Sequence, residues 1–125
     1  QNNHPIGLTA HLAEAMSFAE MKNALANSLG REPFGIEAGK GLIKSVAWCT
    51  GAAQNHIQLA VDAGVDAYIT GEVSEPTVHI AREAGLHFFA AGHHATERYG
   101  VQALGNYLAE KYSLQHQFID IDNPV

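Results

Sequence analysis

Hydrophobic positions along this chain change period several times, and each change marks a new element. Met21, Leu25 and Leu29 recur at helical spacing. Just ahead of them, Ser17-Phe18-Ala19-Glu20 has the form of a capping box, and Gly30 stands where a left-handed residue would end the helix. Pro33 to Gly41 reads as a glycine-rich connection with room for a short strand at Phe34-Gly35-Ile36. Beyond Gly41 the pattern becomes regular. Strands are expected at 45–49, 66–69, 87–90 and 117–121, and helices at 57–63, 76–84 and 94–112. Gly64 and Gly85 close the first two of those helices, and Val101, Leu104, Leu108 and Tyr112 carry the period of the third. Strands separated by helices predict an α/β fold: a mostly parallel sheet with right-handed βαβ crossovers and helices packed on it. Residues 1–16 lack a firm period, although Leu8, Leu12 and Ala15 allow a loop or an edge strand. They read as a linker-like segment ahead of an α/β domain over residues 17–125.

An internal repeat sharpens this picture. The stretch from Ala63 to Glu72 aligns with that from Ala84 to His93, so that helix-ending glycine, strand and terminal glycine fall in register. Trp48-Cys49-Thr50-Gly51-Ala52 finishes a strand in the same way. Ala52, Glu72 and His93 therefore occupy equivalent positions after three strand tips. In open α/β sheets ligands bind outside the carboxyl ends of the strands, and neighbouring strands would bring these tips to one place.

The chemistry concentrates at the third tip, Gly92-His93-His94-Ala95-Thr96-Glu97-Arg98. His93 and Glu97 are one helical turn apart and can project to the same side. His94 and Glu97 can do nearly the same. An imidazole with a carboxylate suits a divalent transition metal. At about 100° per residue, Glu97 falls on the stripe of Val101, Leu104 and Leu108, and His93 lies closer to it than His94. A carboxylate on an inward face needs a partner, and a metal ion would be one. Glu97 is equally suited to the positive end of the helix dipole with no metal. Glu72 is the acidic side chain expected beside the pair, either in an outer shell or as a general base, though it too could serve a helix start, with Ser74 as the cap. Asp66 is expected at the opposite sheet edge, and Asp120 and Asp122 near the chain end, so none of them is a convincing third ligand.

Other candidates carry less. Cys49 beside Trp48 in an apolar strand reads as packing rather than a nucleophile. His79 reads as a surface or packing histidine with an outer-shell role open. Thr50 to Gln54 could offer backbone amides to an anion but lacks the lysine and glycines of a P-loop.

Composition narrows the class. Seven Lys and Arg against thirteen Asp and Glu give a formal charge of −6 with no basic stripe, which argues against nucleic-acid binding. No apolar run approaches the roughly 20 residues of a membrane span. A single cysteine excludes an intramolecular disulfide and fits a cytoplasmic setting. The opening Gln1-Asn2-Asn3-His4 lacks a methionine and reads as a start inside a longer protein.

Three segments together resemble one family. They are Val46-Ala47-Trp48-Cys49-Thr50-Gly51, Asp66-Ala67-Tyr68-Ile69-Thr70-Gly71-Glu72 and Gly92-His93-His94-Ala95-Thr96-Glu97-Arg98, in order and at consistent spacing. They resemble the Nif-three-like dinuclear metal centre family, also known as GTP cyclohydrolase 1 type 2 homologues, and its bacterial YbgI-type members in particular. The likeness runs from Ser17 to Val125 and includes Phe118-Ile119-Asp120-Ile121-Asp122-Asn123-Pro124. It implies one half of a two-lobed α/β protein, assembled as a ring-shaped homohexamer around two-metal sites. It implies metal ligation by His93 and Glu97, with Thr70, Gly71 and Glu72 lining the same cavity. The family's other ligands, a His-His pair and an aspartate in the N-terminal half, have no match here; His4 and His11 stand in the wrong context. The expected cofactors are two divalent ions (Zn, Mn, Fe or Ni) in the full-length protein. The expected function is a metal-dependent, GTP cyclohydrolase-like hydrolase acting on a small molecule, inactive as this segment alone. The alternatives are a non-enzymatic metal-binding or regulatory scaffold and an oligomerisation half-domain, with Leu42-Ile43 and Tyr99 as possible contact points.

Overall fold

The computed structural model describes residues 5–125, so the reading of His4 lies outside the described residues. Five strands form one sheet: β1 (Leu8–Met16), β2 (Phe34–Ile36), β3 (Ile43–Trp48), β4 (Ala67–Thr70) and β5 (His87–Ala90). Their order is β1-β3-β4-β5-β2. The central three are parallel, and β1 and β2 run antiparallel at the two edges. The helices are α1 (Phe18–Leu29), α2 (Ile57–Asp62, entered through a 3-10 turn at Gln54–His56), α3 (Glu75–Ala84) and α4 (His93–Tyr112).

Local chemistry sets the boundaries. In α1 the capping box is complete: the Ser17 hydroxyl accepts from the Glu20 amide at 3.2 Å, and the Glu20 carboxylate accepts from the Ser17 amide at 2.7 Å. Gly30 ends the helix with φ 67°. Asp66 stands just before β4, where the Lys44 and Ser45 amides and the Ser45 hydroxyl donate to its carboxylate at 2.8–2.9 Å. Burial pushes its pKa up, but these bonds together outweigh it and hold the carboxyl below its ordinary value. That places Asp66 at the opposite sheet edge from the repeated glycines, as the sequence predicts.

Alternate strand positions feed two cores. Ala47, Tyr68 and Phe88 pack with Ile57, Ala60 and Ala81 on the side of α2 and α3. Val46, Ala67 and Phe89 pack with Met21 on the side of α1, where the Phe18 and Phe89 rings stack with centroids 4.8 Å apart. Ile43 is fully buried there, so of the expected contact pair only Leu42 is exposed. Burying both faces of the parallel strands explains why β5 is buried throughout and apolar after His87.

Three expectations fail. Residues 8–16 are not a linker: of the loop and the edge strand that their sequence allows they form the edge strand, paired antiparallel with β3 as part of the domain. A strand with one neighbour turns only some side chains inward, here Ala10 and Leu12 in part, so its alternation is faint in the sequence. The final strand at 117–121 does not form. The segment after Tyr112 has no ladder partner and lies as an extended tail with Ile119 and Ile121 exposed. It is tied down instead through Asp120, which takes His94 at 2.7 Å and Arg98 at 3.1 Å. Third, the α4 stripe does not face the core. Val101, Leu104, Leu108 and Tyr112 are 58%, 57%, 38% and 59% exposed, and Ala95 alone is buried among the helix residues. Beyond its first turn α4 runs off the sheet. No helix among the described residues is long and apolar enough to cross a membrane.

Candidate functional site

β3, β4 and β5 lie side by side, and each runs into a glycine. The Gly71 amide donates to the Gly51 carbonyl and the Gly92 amide to the Gly71 carbonyl, both at 2.9 Å, so the ladder continues past the strands. Two of these residues need glycine for their backbone: φ is 68° at Gly51 and 96° at Gly92. Gly71 needs it for space. A Cβ there would stand 2.7 Å from both the Gly51 carbonyl oxygen and the His93 Cα. Close-set tips are what bring the following residues together. The alignment of Ala52, Glu72 and His93 is therefore spatial as well as sequential, although Ala52 points to solvent and takes no part.

His93 opens α4 between two carboxylates. Its Nδ1 lies 2.6 Å from Glu72 Oε1 and its Nε2 lies 3.1 Å from Glu97 Oε2. Glu97 is 51% exposed at its side chain, so the expected penalty for burying it does not arise; it is held by His93 and not by a closed environment. The hydrogen bond to Glu72, ahead of the two nearby charges, raises the His93 pKa above its ordinary value, and the same bond lowers that of Glu72. The His93 contribution to stability is fully present below its ordinary pKa of 6.5 and is lost as pH rises through the raised value. The Glu72 contribution is fully present above its ordinary 4.5 and is lost as pH falls through the lowered value. Once His93 is neutral with its proton on Nδ1, the Nε2 lone pair and a Glu97 oxygen face each other. Two acceptors at that separation repel unless a cation lies between them.

The other candidates disperse. His94 turns away to Asp120, which separates it from Glu97 and leaves His93 as the partner of that carboxylate. His79 is exposed, as is His11. Cys49 donates to the Ile6 carbonyl at 2.8 Å, and burial pushes its thiol pKa up, the opposite of an activated nucleophile. Two of the Thr50–Gln54 amides are already engaged and not free for an anion: Gly51 donates to Thr96 Oγ1 at 3.0 Å and Ala53 to Thr70 Oγ1 at 3.3 Å. Ser74 does occupy the N-cap of α3, but its hydroxyl pairs with Thr77 Oγ1 rather than with the helix backbone.

Sequence reasoning overlooked three residues. Thr96 ties the β3 tip to α4, accepting from Gly51 while donating back to the helix carbonyls. Gln54 Nε2 donates to Glu72 Oε2 at 3.2 Å. Arg31 lies between two open cavities of about 430 and 480 Å³, the first reaching Glu72 and the second His94 and Arg98. Thr96 sits within the Gly92–Arg98 motif and is legible there; Gln54 enters the Thr50–Gln54 run only for its backbone amide, and neither its side chain nor Arg31 carries a local signal.

The residues present suit a divalent ion. A histidine nitrogen and a carboxylate oxygen converge, and the floor beneath them is Gly51, where a Cβ would run into the Glu97 carboxylate and stand 3.3 Å from His93 Nε2. The set is incomplete. Among the described residues no three His, Cys, Asp or Glu side chains are grouped to hold a metal ion, because Glu72 engages the far side of the imidazole ring.

Comparison with known proteins gives the family of the chain and relatives of its fold. The sequence profile of Duf34/NIF3 (NGG1p interacting factor 3) matches residues 1–124. A Pseudomonas aeruginosa protein described as a GTP cyclohydrolase 1 type 2 homolog is 56% identical over 123 residues, covering 98% of this chain and 48% of that protein. An Escherichia coli protein of the same description is 53% identical over 106 residues, covering 84% of this chain and 43% of that protein. The chain thus spans about half the length of the curated relatives it matches. Among solved structures, protein ybgI, of unknown function, superposes with a TM-score of 0.94 at 47% identity, covering 98% of this chain and 50% of that one. A Thermus thermophilus protein, TTHA1606, does so at 0.76 and 25% identity, covering 94% and 45%.

Proposed function

Because the chain belongs to the Duf34/NIF3 family, we propose that it supplies one side of a dinuclear divalent-metal centre in a hydrolase of the GTP cyclohydrolase type. His93 Nε2 and Glu97 would ligate, and Glu72 would hold the far nitrogen of His93, the outer-shell arrangement that orients metal-bound histidines. The observation that carries this reading is the 3.1 Å approach of His93 Nε2 to Glu97 over a glycine floor, with Nδ1 tied to Glu72. The ions themselves (Zn, Mn, Fe or Ni) would bring Lewis acidity and a lowered pKa for bound water. The chain's own part is to keep a lone pair on Nε2, to hold the Glu97 carboxylate beside it, and to leave the Arg31-lined cavities open for a small anionic substrate.

The remaining ligands belong to structure outside these residues. The exposed α4 stripe continues along the helix from His93 and Glu97, so a surface covering Val101, Leu104 and Leu108 would also reach the metal-facing side. That favours a second reading, in which a ring-shaped homohexamer in the cytoplasm acts as a metal-binding or regulatory scaffold without catalysis.

The two readings part in one assay. A chain of the relatives' full length carrying this sequence, loaded with Mn, Fe, Zn or Ni, is expected to open the guanine ring of GTP. His93→Ala should lower that rate by more than about 100-fold, since even outer-shell changes cost about 10–100-fold. Metal-loaded protein that leaves GTP intact would sink the hydrolase reading and leave the scaffold.

A further inference from the structure

We propose that Gln54 is a positioning residue for this centre, holding Glu72 so that the imidazole of His93 carries its proton on Nδ1 and presents Nε2 toward Glu97. The inference rests on the reading of His93 as a ligand and extends it to a residue outside the motif. Glu72 follows β4 on an irregular turn, and its side chain has three rotatable bonds. It is nevertheless gripped at both oxygens, Oε1 by His93 Nδ1 at 2.6 Å and Oε2 by Gln54 Nε2 at 3.2 Å.

Gln54 is itself well placed to be rigid. It opens the 3-10 turn that follows the β3 tip. Its neighbour Ala53 is buried and fixed twice: its carbonyl accepts from the Tyr68 hydroxyl at 2.8 Å, and its amide donates to Thr70 at 3.3 Å. The direction of the Gln54 amide is set by chemistry. An ionised carboxylate only accepts hydrogen bonds, so the NH₂ group must face Glu72. The other end of the amide then carries a cost. Gln54 Oε1 is buried and has no hydrogen-bond partner among the described residues. An amide free to satisfy itself would turn that oxygen to a donor. This one is held where its nitrogen meets Glu72, and the charge-assisted bond there offsets the oxygen left unmade.

The consequence is a three-residue relay from the β3 tip through the β4 tip to the β5 tip. Glu72, fixed at its outer oxygen, keeps its inner oxygen on Nδ1. With the proton retained on that side, Nε2 is left as an acceptor facing Glu97.

Two-bond proton–nitrogen correlation on the metal-free chain labelled with ¹⁵N-histidine tests this directly, at a pH above the imidazole titration. In the unmodified chain the Nε2 shift of His93 is expected to be mainly that of an unprotonated ring nitrogen, with the half-exposed Glu97 carboxylate moving off the lone pair when no cation lies between them. In Gln54→Leu, which keeps bulk and removes the amide, the tautomer ratio should move toward Nε2–H by at least about threefold. In Gln54→Glu, which sets a second carboxylate against Glu72, the shift should be larger. Unchanged His93 shifts in both folded variants would overturn the proposal. The measurement needs no metal, so it stands apart from the metal reading: a tautomer shift together with a full-length chain that binds no metal would uphold the relay and defeat the metal centre. If the full-length chain does bind metal, Gln54→Leu should weaken binding by about 10-fold or more, and an unchanged affinity would count against the relay.

Discussion

Gly71→Ala is expected to destabilise the fold by about 3 kcal/mol or more, the upper end of what overpacking costs. The added methyl would stand 2.7 Å from the Gly51 carbonyl oxygen, 2.7 Å from the His93 Cα and 3.0 Å from the Gly92 carbonyl oxygen. All three atoms are backbone, and they belong to the two neighbouring strand tips. No rotamer change relieves them. Relief requires β3 and β5 to part at the level where Gly71 and Gly92 continue the ladder, and where Thr70 is buried and donates to the Gly51 carbonyl at 3.0 Å. Denaturant unfolding of the two chains side by side measures the loss. A change below about 1 kcal/mol would mean that the tips are not packed as described.

Gly51→Ala is expected to do the reverse, sparing most of the fold while removing the site. Its φ of 68° costs a non-glycine residue about 1–2 kcal/mol. The new Cβ, however, would meet the end of a flexible side chain, with the Glu97 Cδ 2.9 Å away and His93 Nε2 3.3 Å away. Glu97 can swing outward because it is half exposed. The chain should therefore stay folded with a separated histidine–glutamate pair. In a full-length chain that binds metal, affinity should fall by more than about 100-fold, beyond the cost of an outer-shell change. Retained affinity in the folded variant would show that the ion does not lie over Gly51.

The contrast between these two glycines shows how much the sequence holds. The repeat that sets Gly51, Gly71 and Gly92 in register is readable because each glycine follows a largely buried strand, and burial on both faces leaves a mostly apolar run before it. The capping box at Ser17 is equally local, and so it is legible. What escapes is whatever depends on partners remote in the chain. β1 has a single neighbour, and its inward positions are too few to impose a period. The Phe118-Ile119-Asp120-Ile121 stretch has the composition of a strand, but Asp120 is committed to His94 and Arg98 rather than to a ladder. The α4 stripe has the spacing of a core face, yet spacing cannot say whether the covering surface lies within these residues. Gln54 is invisible for the same reason: its meaning lies in Glu72, eighteen residues on.

That dependence on a surface beyond these residues is also what the central claim asserts, that His93 and Glu97 are one side of a shared two-metal site. Metal titration with analysis of bound ions tests it most directly, comparing this 125-residue chain with a chain of the relatives' full length that carries it. The expected result is two divalent ions per full-length chain, a loss of tight binding in His93→Ala, and weak or no binding by the 125 residues alone. Stoichiometric two-ion binding by the shorter chain, or full-length binding indifferent to His93→Ala, would contradict the account.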